Sequence, residues 1–154
     1  MKDFNVERFY RDARITNIYE GTTQLQVVAA IGGVIQRDND ERINELASIE
    51  FHGKLARLRD TVMALHARQL DAVKFVAEKK DHAYHDLMAR SLVEMETYIF
   101  VGLLLLRDAM KCEDRVAIAE RWVLDAVPEF ETRYMRVMSG DVTLIDNNRD
   151  IIDY

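Results

Sequence analysis

Three observations predict an all-α fold. Nearly half of the 154 residues are hydrophobic (49%), yet the chain has one proline and six glycines, too few turn residues for a many-stranded fold. From residue 41 onward the apolar residues recur at spacings of three and four, the period of a helix face. The stretches between these runs are short and polar, which favours antiparallel neighbours. Residues 41–139 therefore read as an up-and-down bundle of three long helices, and the first capped helix before them can supply a fourth member.

The first 36 residues have a different texture: aromatic and basic residues up to Arg14, a polar loop, then "LQVVAAIGGVI". Thr23 followed by Gln26 fits a capping box, so a helix is expected from about residue 24. Gly32 and Gly33 should weaken its far end, and "QRDND" at 36–40 is turn material. The next helix carries Leu55, Leu58, Val62, Leu65, Leu70, Val73 and Val76, with Leu65 to Leu70 the one loose step. "EKKDH" at 78–82 breaks it, and Asp81 is an expected N-cap for a helix carrying Tyr84, Leu87, Leu92, Met95, Ile99 and Leu106, which ends near "KCED". The last helix presents Val116, Ala119, Val123, Val127, Phe130, Tyr134 and Val137, should kink at Pro128, and stops at Ser139-Gly140. The tail at 140–154 mixes apolar pairs with acids and either folds back or stays mobile.

Composition also excludes functions. The formal net charge is −6 and the basic residues are scattered, so the electrostatic footprint of nucleic-acid binding is absent. Cys112 is the single cysteine, which rules out an intrachain disulfide, and the N-terminus lacks the order of a secretory signal; a cytoplasmic location is expected. The longest apolar run, "YIFVGLLLL" at 98–106, falls short of the roughly 18–20 residues of a spanning helix and reads as buried helix.

Chemistry concentrates in "RITNIYEGTTQLQ", residues 14–26. Glu20 follows an aromatic residue, precedes a glycine free to adopt positive φ, and lies just before a helix N-terminus, so the loop can aim a carboxylate at a ligand. A carboxylate that removes a proton from carbon also needs a dry site and a neighbouring electrophile. Neither is visible in these residues, which by themselves fit a solvated loop acid better.

"ERFYRDARITNIYEGTTQLQ", residues 7–26, resembles the C-terminal motif of the FAD-dependent acyl-CoA dehydrogenases. Asp3, Arg8 and Asp12 also match the second half of that family's glutamine- and glycine-rich signature, whose first half is absent here, and the match is close over about residues 3–36. The resemblance implies that Glu20 is the base that takes the α-proton of an acyl-CoA thioester while hydride passes from the β-carbon to flavin. It also implies that Gly21 lies along the substrate and that Thr22, Thr23 and Gln24 touch FAD. Residues 1–36 would then end the catalytic helical domain, with 41–139 resembling the extra C-terminal helical domain of the family's long form. The chain is thus expected to be a C-terminal fragment, inactive alone, of a bacterial enzyme that forms homo-oligomers and passes electrons to an electron-transfer flavoprotein-type acceptor. The competing expectation is a non-enzymatic helical module for interaction or dimerisation.

Other candidates read as structural. His82 and His85 could face one way as metal ligands, but without a Glu-x-x-His they fit solvated histidines, and no metal is expected. His52 and His66 have no evident partner. Glu113 and Asp114 oppose thiolate formation at Cys112, and Trp122, Met88, Met95 and Met110 read as packing. Arg57, Arg59, Arg68 and Lys74 give one helix a basic tint that could rest on an anionic membrane, but Asp60 and Asp71 dilute it toward a solvated face with i,i+4 ion pairs.

Overall fold

The computed structural model describes residues 6–16 and 22–152. Its elements are α1 (Val6–Ile15), α2 (Thr23–Gln36), α3 (Asp40–Ala47), α4 (Gly53–Lys79), α5 (His82–Ala109), a 3-10 turn (Glu113–Arg115), α6 (Val116–Met138), α7 (Thr143–Asp146) and α8 (Asn148–Ile152). No strand occurs among the described residues, and the all-α helical bundle stands.

Helix α5 is the axis on which α2, α3, α4 and α6 pack. The predicted stripes are the core. Tyr84, Leu92, Met95, Ile99, Leu103 and Leu106 of α5 are fully buried, facing Val62, Val73 and Val76 of α4 and Ala119, Val123, Phe130 and Val137 of α6. Cross-contacts give the directions. The start of α5 meets the end of α6 through the Tyr84 hydroxyl, which donates to the Val137 carbonyl at 2.5 Å. Farther along α5, the indole of Trp122 donates to the Tyr98 carbonyl at 3.3 Å. Hence α5 and α6 are antiparallel. Gln69 of α4 reaches Glu96 of α5, Val62 lies against Gly102, and Phe75 meets the Tyr84 ring edge-on, so α4 is antiparallel to α5 as well. A Cβ at Gly102 would come within 3.3 Å of the Val62 methyl, which is why the smallest residue occupies that crossing.

Caps and ion pairs fix the ends and seams. Asp81 caps α5 as expected, its carboxylate accepting from the amides of Ala83 (3.0 Å) and Tyr84 (3.1 Å). The chain leaves α6 through Gly140 at φ +69, a conformation that suits glycine. Between α4 and α6, Arg68 grips Glu131 with both guanidinium nitrogens and lies 4.1 Å from the centre of the Tyr134 ring. The hydrogen bonds from Arg68 hold the Glu131 carboxyl below the usual carboxylate range. Burial alone would raise the Glu94 carboxyl on α5, but Arg90 and Arg133 outweigh it and the group is lowered too. Burial pushes the Tyr84 phenol up.

Several expectations change. The helix expected to run on from residue 41 is two helices, because Phe51 turns into the core in the connection and Gly53 follows at φ +55. The C-terminal end of α3 is closed by Arg59, which donates to the Ala47 carbonyl at 2.9 Å. Thr23 is the first helical residue of α2, not its cap. Thr22 holds the cap position in extended backbone without a side-chain capping bond, its carbonyl taking the Gln26 amide, so the capping box does not form. Helix α2 stops after Gln36, at Arg37 in the left-handed region (φ 64), within the turn expected at 36–40. Arg68 spends its charge on α6, and among the four basic residues the i,i+4 pairing is that of Lys74 with Glu78. Met88 and Met95 are buried, but Met110 is 45% exposed and is not core filler.

The two ends of the chain differ. In the tail α7 folds back against α5, and Val142 packs on the core. Helix α1 buries none of its residues, and Phe9 and Tyr10 are about as exposed as its arginines.

Candidate functional site

The base expected at Glu20, with Gly21 beside it, lies outside the described residues. What is described is the helix end that follows. Thr22, Thr23 and Gln24 form the first turn of α2, and all three are exposed. Their side chains make no intramolecular hydrogen bond among the described residues. A threonine at a helix cap ordinarily turns its hydroxyl onto a first-turn amide. Here it does not, and among the described residues two hydroxyls and a carboxamide stand exposed side by side at a helix N-terminus.

The face behind that turn is apolar. Val27, Ile31 and Val34 are buried against the bundle, while Leu25 (59% exposed) and Val28 (61%) stay open. A helix apolar on both faces normally lies within a larger body.

Sequence reasoning missed a second cluster. His66, read as having no partner, is buried, and its Nδ1 lies 3.2 Å from Oε1 of buried Gln69. Gln69 donates through Nε2 to one oxygen of buried Glu96 at 3.0 Å, and Asn39 donates to the other at 2.6 Å. On the far side, His66 Nε2 lies 3.9 Å from Asp40, whose second oxygen accepts from Arg37 Nε at 2.6 Å. The cluster therefore joins the turn after α2 to α4 and α5. The loose step from Leu65 to Leu70 was its trace: Leu70 is only half-buried, and His66 and Gln69 occupy the core positions the apolar stripe skips.

Other sequence candidates are not brought together. His82 is exposed and His85 pairs with Asp86 at 3.0 Å. No group of three metal-ligating side chains converges among the described residues. Cys112 is exposed, and Trp122 packs on Tyr98. No helix among the described residues is long and apolar enough to cross a membrane.

Comparison with known proteins supplies the context. Residues 39–142 match the family model described as acyl-CoA dehydrogenase C terminal. The chain is similar to a crystal structure of an acyl-CoA dehydrogenase family protein from Porphyromonas gingivalis, with TM-score 0.68 and 26% identity over 73% of this chain and 98% of that one. A stretch of 37 residues is 51% identical to the acryloyl-CoA reductase (NADH) of Anaerotignum propionicum, covering 24% of this chain and 9% of that protein, so the match spans a small part of the relative's length. With more than half of its length matched, the chain belongs to the acyl-CoA dehydrogenase C-terminal family.

Proposed function

We propose that this chain is the C-terminal part of an FAD-dependent acyl-CoA dehydrogenase acting in fatty acid metabolism in the cytoplasm, and that it is inactive alone. The observation that carries this reading is adjacency: the "IYEGTTQLQ" stretch stands immediately before a domain matched to the family's C terminus. Domain organisation follows: 1–36 closes the catalytic helical domain, 41–139 is the extension, and 140–154 a tail.

In the proposed mechanism Glu20 takes the α-proton of an acyl-CoA thioester onto a carboxylate oxygen. Gly21, without a side chain, leaves room for the acyl chain beside that carboxylate. Thr22, Thr23 and Gln24 hold the cofactor with hydroxyls and a carboxamide that bond to no other side chain or backbone group among the described residues. Bound FAD supplies the acceptor for the β-hydride. The reduced enzyme passes electrons to an electron-transfer flavoprotein-type acceptor.

A further reading is assembly. The exposed Val6, Phe9 and Tyr10 of α1 and Leu25 and Val28 of α2 favour burial against more protein, and a homo-oligomer would supply it.

Expression of the longer gene product tests the enzyme: it should be yellow and bleach when acyl-CoA is added anaerobically. A longer protein that assembles as a stable dimer by light scattering but carries no flavin would favour the non-enzymatic helical module instead.

A further inference from the structure

Helix α2 touches the bundle along one apolar stripe, Val27, Ile31 and Val34, spaced i, i+4 and i+7. Beside the stripe the small residues Ala29, Ala30 and Gly33 leave a groove of about 520 Å³ against Val93, Phe100 and Val101 of α5. A single stripe beside an unfilled groove sets the distance between two helices but resists a swing of the helix axis over the groove poorly. Leverage makes the swing matter. A 14-residue helix is about 21 Å long, so tilting it by about 5° at one end moves the other by about 2 Å.

We propose that the Asn39–Glu96–Gln69 tie fixes how α2 lies on the bundle, so that Asn39 and Glu96 are positioning residues for the helix end bearing Thr22, Thr23 and Gln24; the last step rests on the proposed function. The turn that the tie holds is strained, with non-glycine Arg37 at φ 64, and is closed by the Asp38 amide on the Gly33 carbonyl (3.0 Å) and by Arg37 on Asp40. Asn39 is the one link from this turn to α5 by hydrogen bond among the described residues, and it lands on a carboxylate that is 7% exposed.

The network also has a direction. Each Glu96 oxygen accepts from an amide, so Gln69 turns its NH2 toward α5 and its carbonyl toward His66. His66 Nδ1 must then carry a proton.

Two measurements on the 154-residue chain decide this. Hydrogen exchange of residues 23–36 should be about tenfold faster in Asn39→Ala, the size expected for losing a hydrogen bond to a carboxylate, with exchange in α6 unchanged. Asn39 is exposed, so the variant keeps the core intact. Unchanged exchange in α2, or equal acceleration in α6, would overturn the tie. By imidazole nitrogen NMR, His66 should carry its proton on Nδ1 in the wild type; a bare Nδ1 there overturns the direction. In the flavin-binding parent, Asn39→Ala should weaken flavin retention several-fold. If α2 loosens while flavin is held as before, the lever fails to reach the cofactor and the tie stands. If the parent holds no flavin at all, the proposed function fails and the exchange result still judges the tie.

Discussion

The first turn of α2 and the α4–α5–α6 bundle stand at opposite extremes. Thr22, Thr23 and Gln24 are exposed, with side chains that make no hydrogen bond among the described residues, and α1 before them buries nothing. The bundle, by contrast, buries Tyr84, Leu92, Ile99 and Phe130 completely and latches its seams with Arg68–Glu131 and Arg133–Glu94. Apolar burial makes one region sufficient in itself; open donors and open apolar faces make the other complete only against a ligand or more protein. Stability and proposed chemistry thus sit in different parts of one chain, with α2 connecting them.

Mutations should separate the two. The largest effect is expected for Phe130→Ala, which empties a fully buried site and should cost about 3–5 kcal/mol, lowering the thermal midpoint by roughly 10 °C. Asp81→Ala removes the two cap bonds of α5 and should cost about 1 kcal/mol by urea titration. Acid gives a smaller, graded loss. Glu131 and Glu94 are lowered in the folded state, so their stabilisation is present above the ordinary Glu value of about 4.3 and is lost as pH falls from there through the lowered values. Glu131→Gln should flatten that slope, and because Glu131 is 35% exposed, salt should weaken it. The smallest change belongs to Phe9→Ala: at 71% exposure it should stay within about 0.5 kcal/mol, and a midpoint drop as large as that of Phe130→Ala would erase the contrast.

Legibility in the sequence followed the same division. The stripes of α5 and α6 were readable because the core is repeated apolar burial at helix spacing, a pattern a sequence shows directly. The ends of α2 were less so. Which threonine caps depends on backbone angles, and Thr22 took the position that the Thr23–Gln26 pattern assigned one residue later. The break at 48–52 was hidden because Phe51 is as apolar as any helix-face residue, although it turns inward from a connection. His66 was misread because its partners Gln69 and Asp40 lie on two elements, and a buried polar network appears in one sequence only as a gap in a stripe. The role proposed for Glu20 rests on resemblance alone, since nothing in its neighbours' chemistry distinguishes a base from a solvated acid.

The most direct test of where the chemistry lies is anaerobic stopped-flow reduction of the flavin in the parent protein by acyl-CoA, comparing wild type with Glu20→Gln. Loss of a positioned base predicts a rate lower by about 10²–10⁴-fold with the oxidised flavin spectrum unchanged. Reduction of the variant at the wild-type rate would contradict the assignment of Glu20 and with it the division of labour between the loop and the bundle.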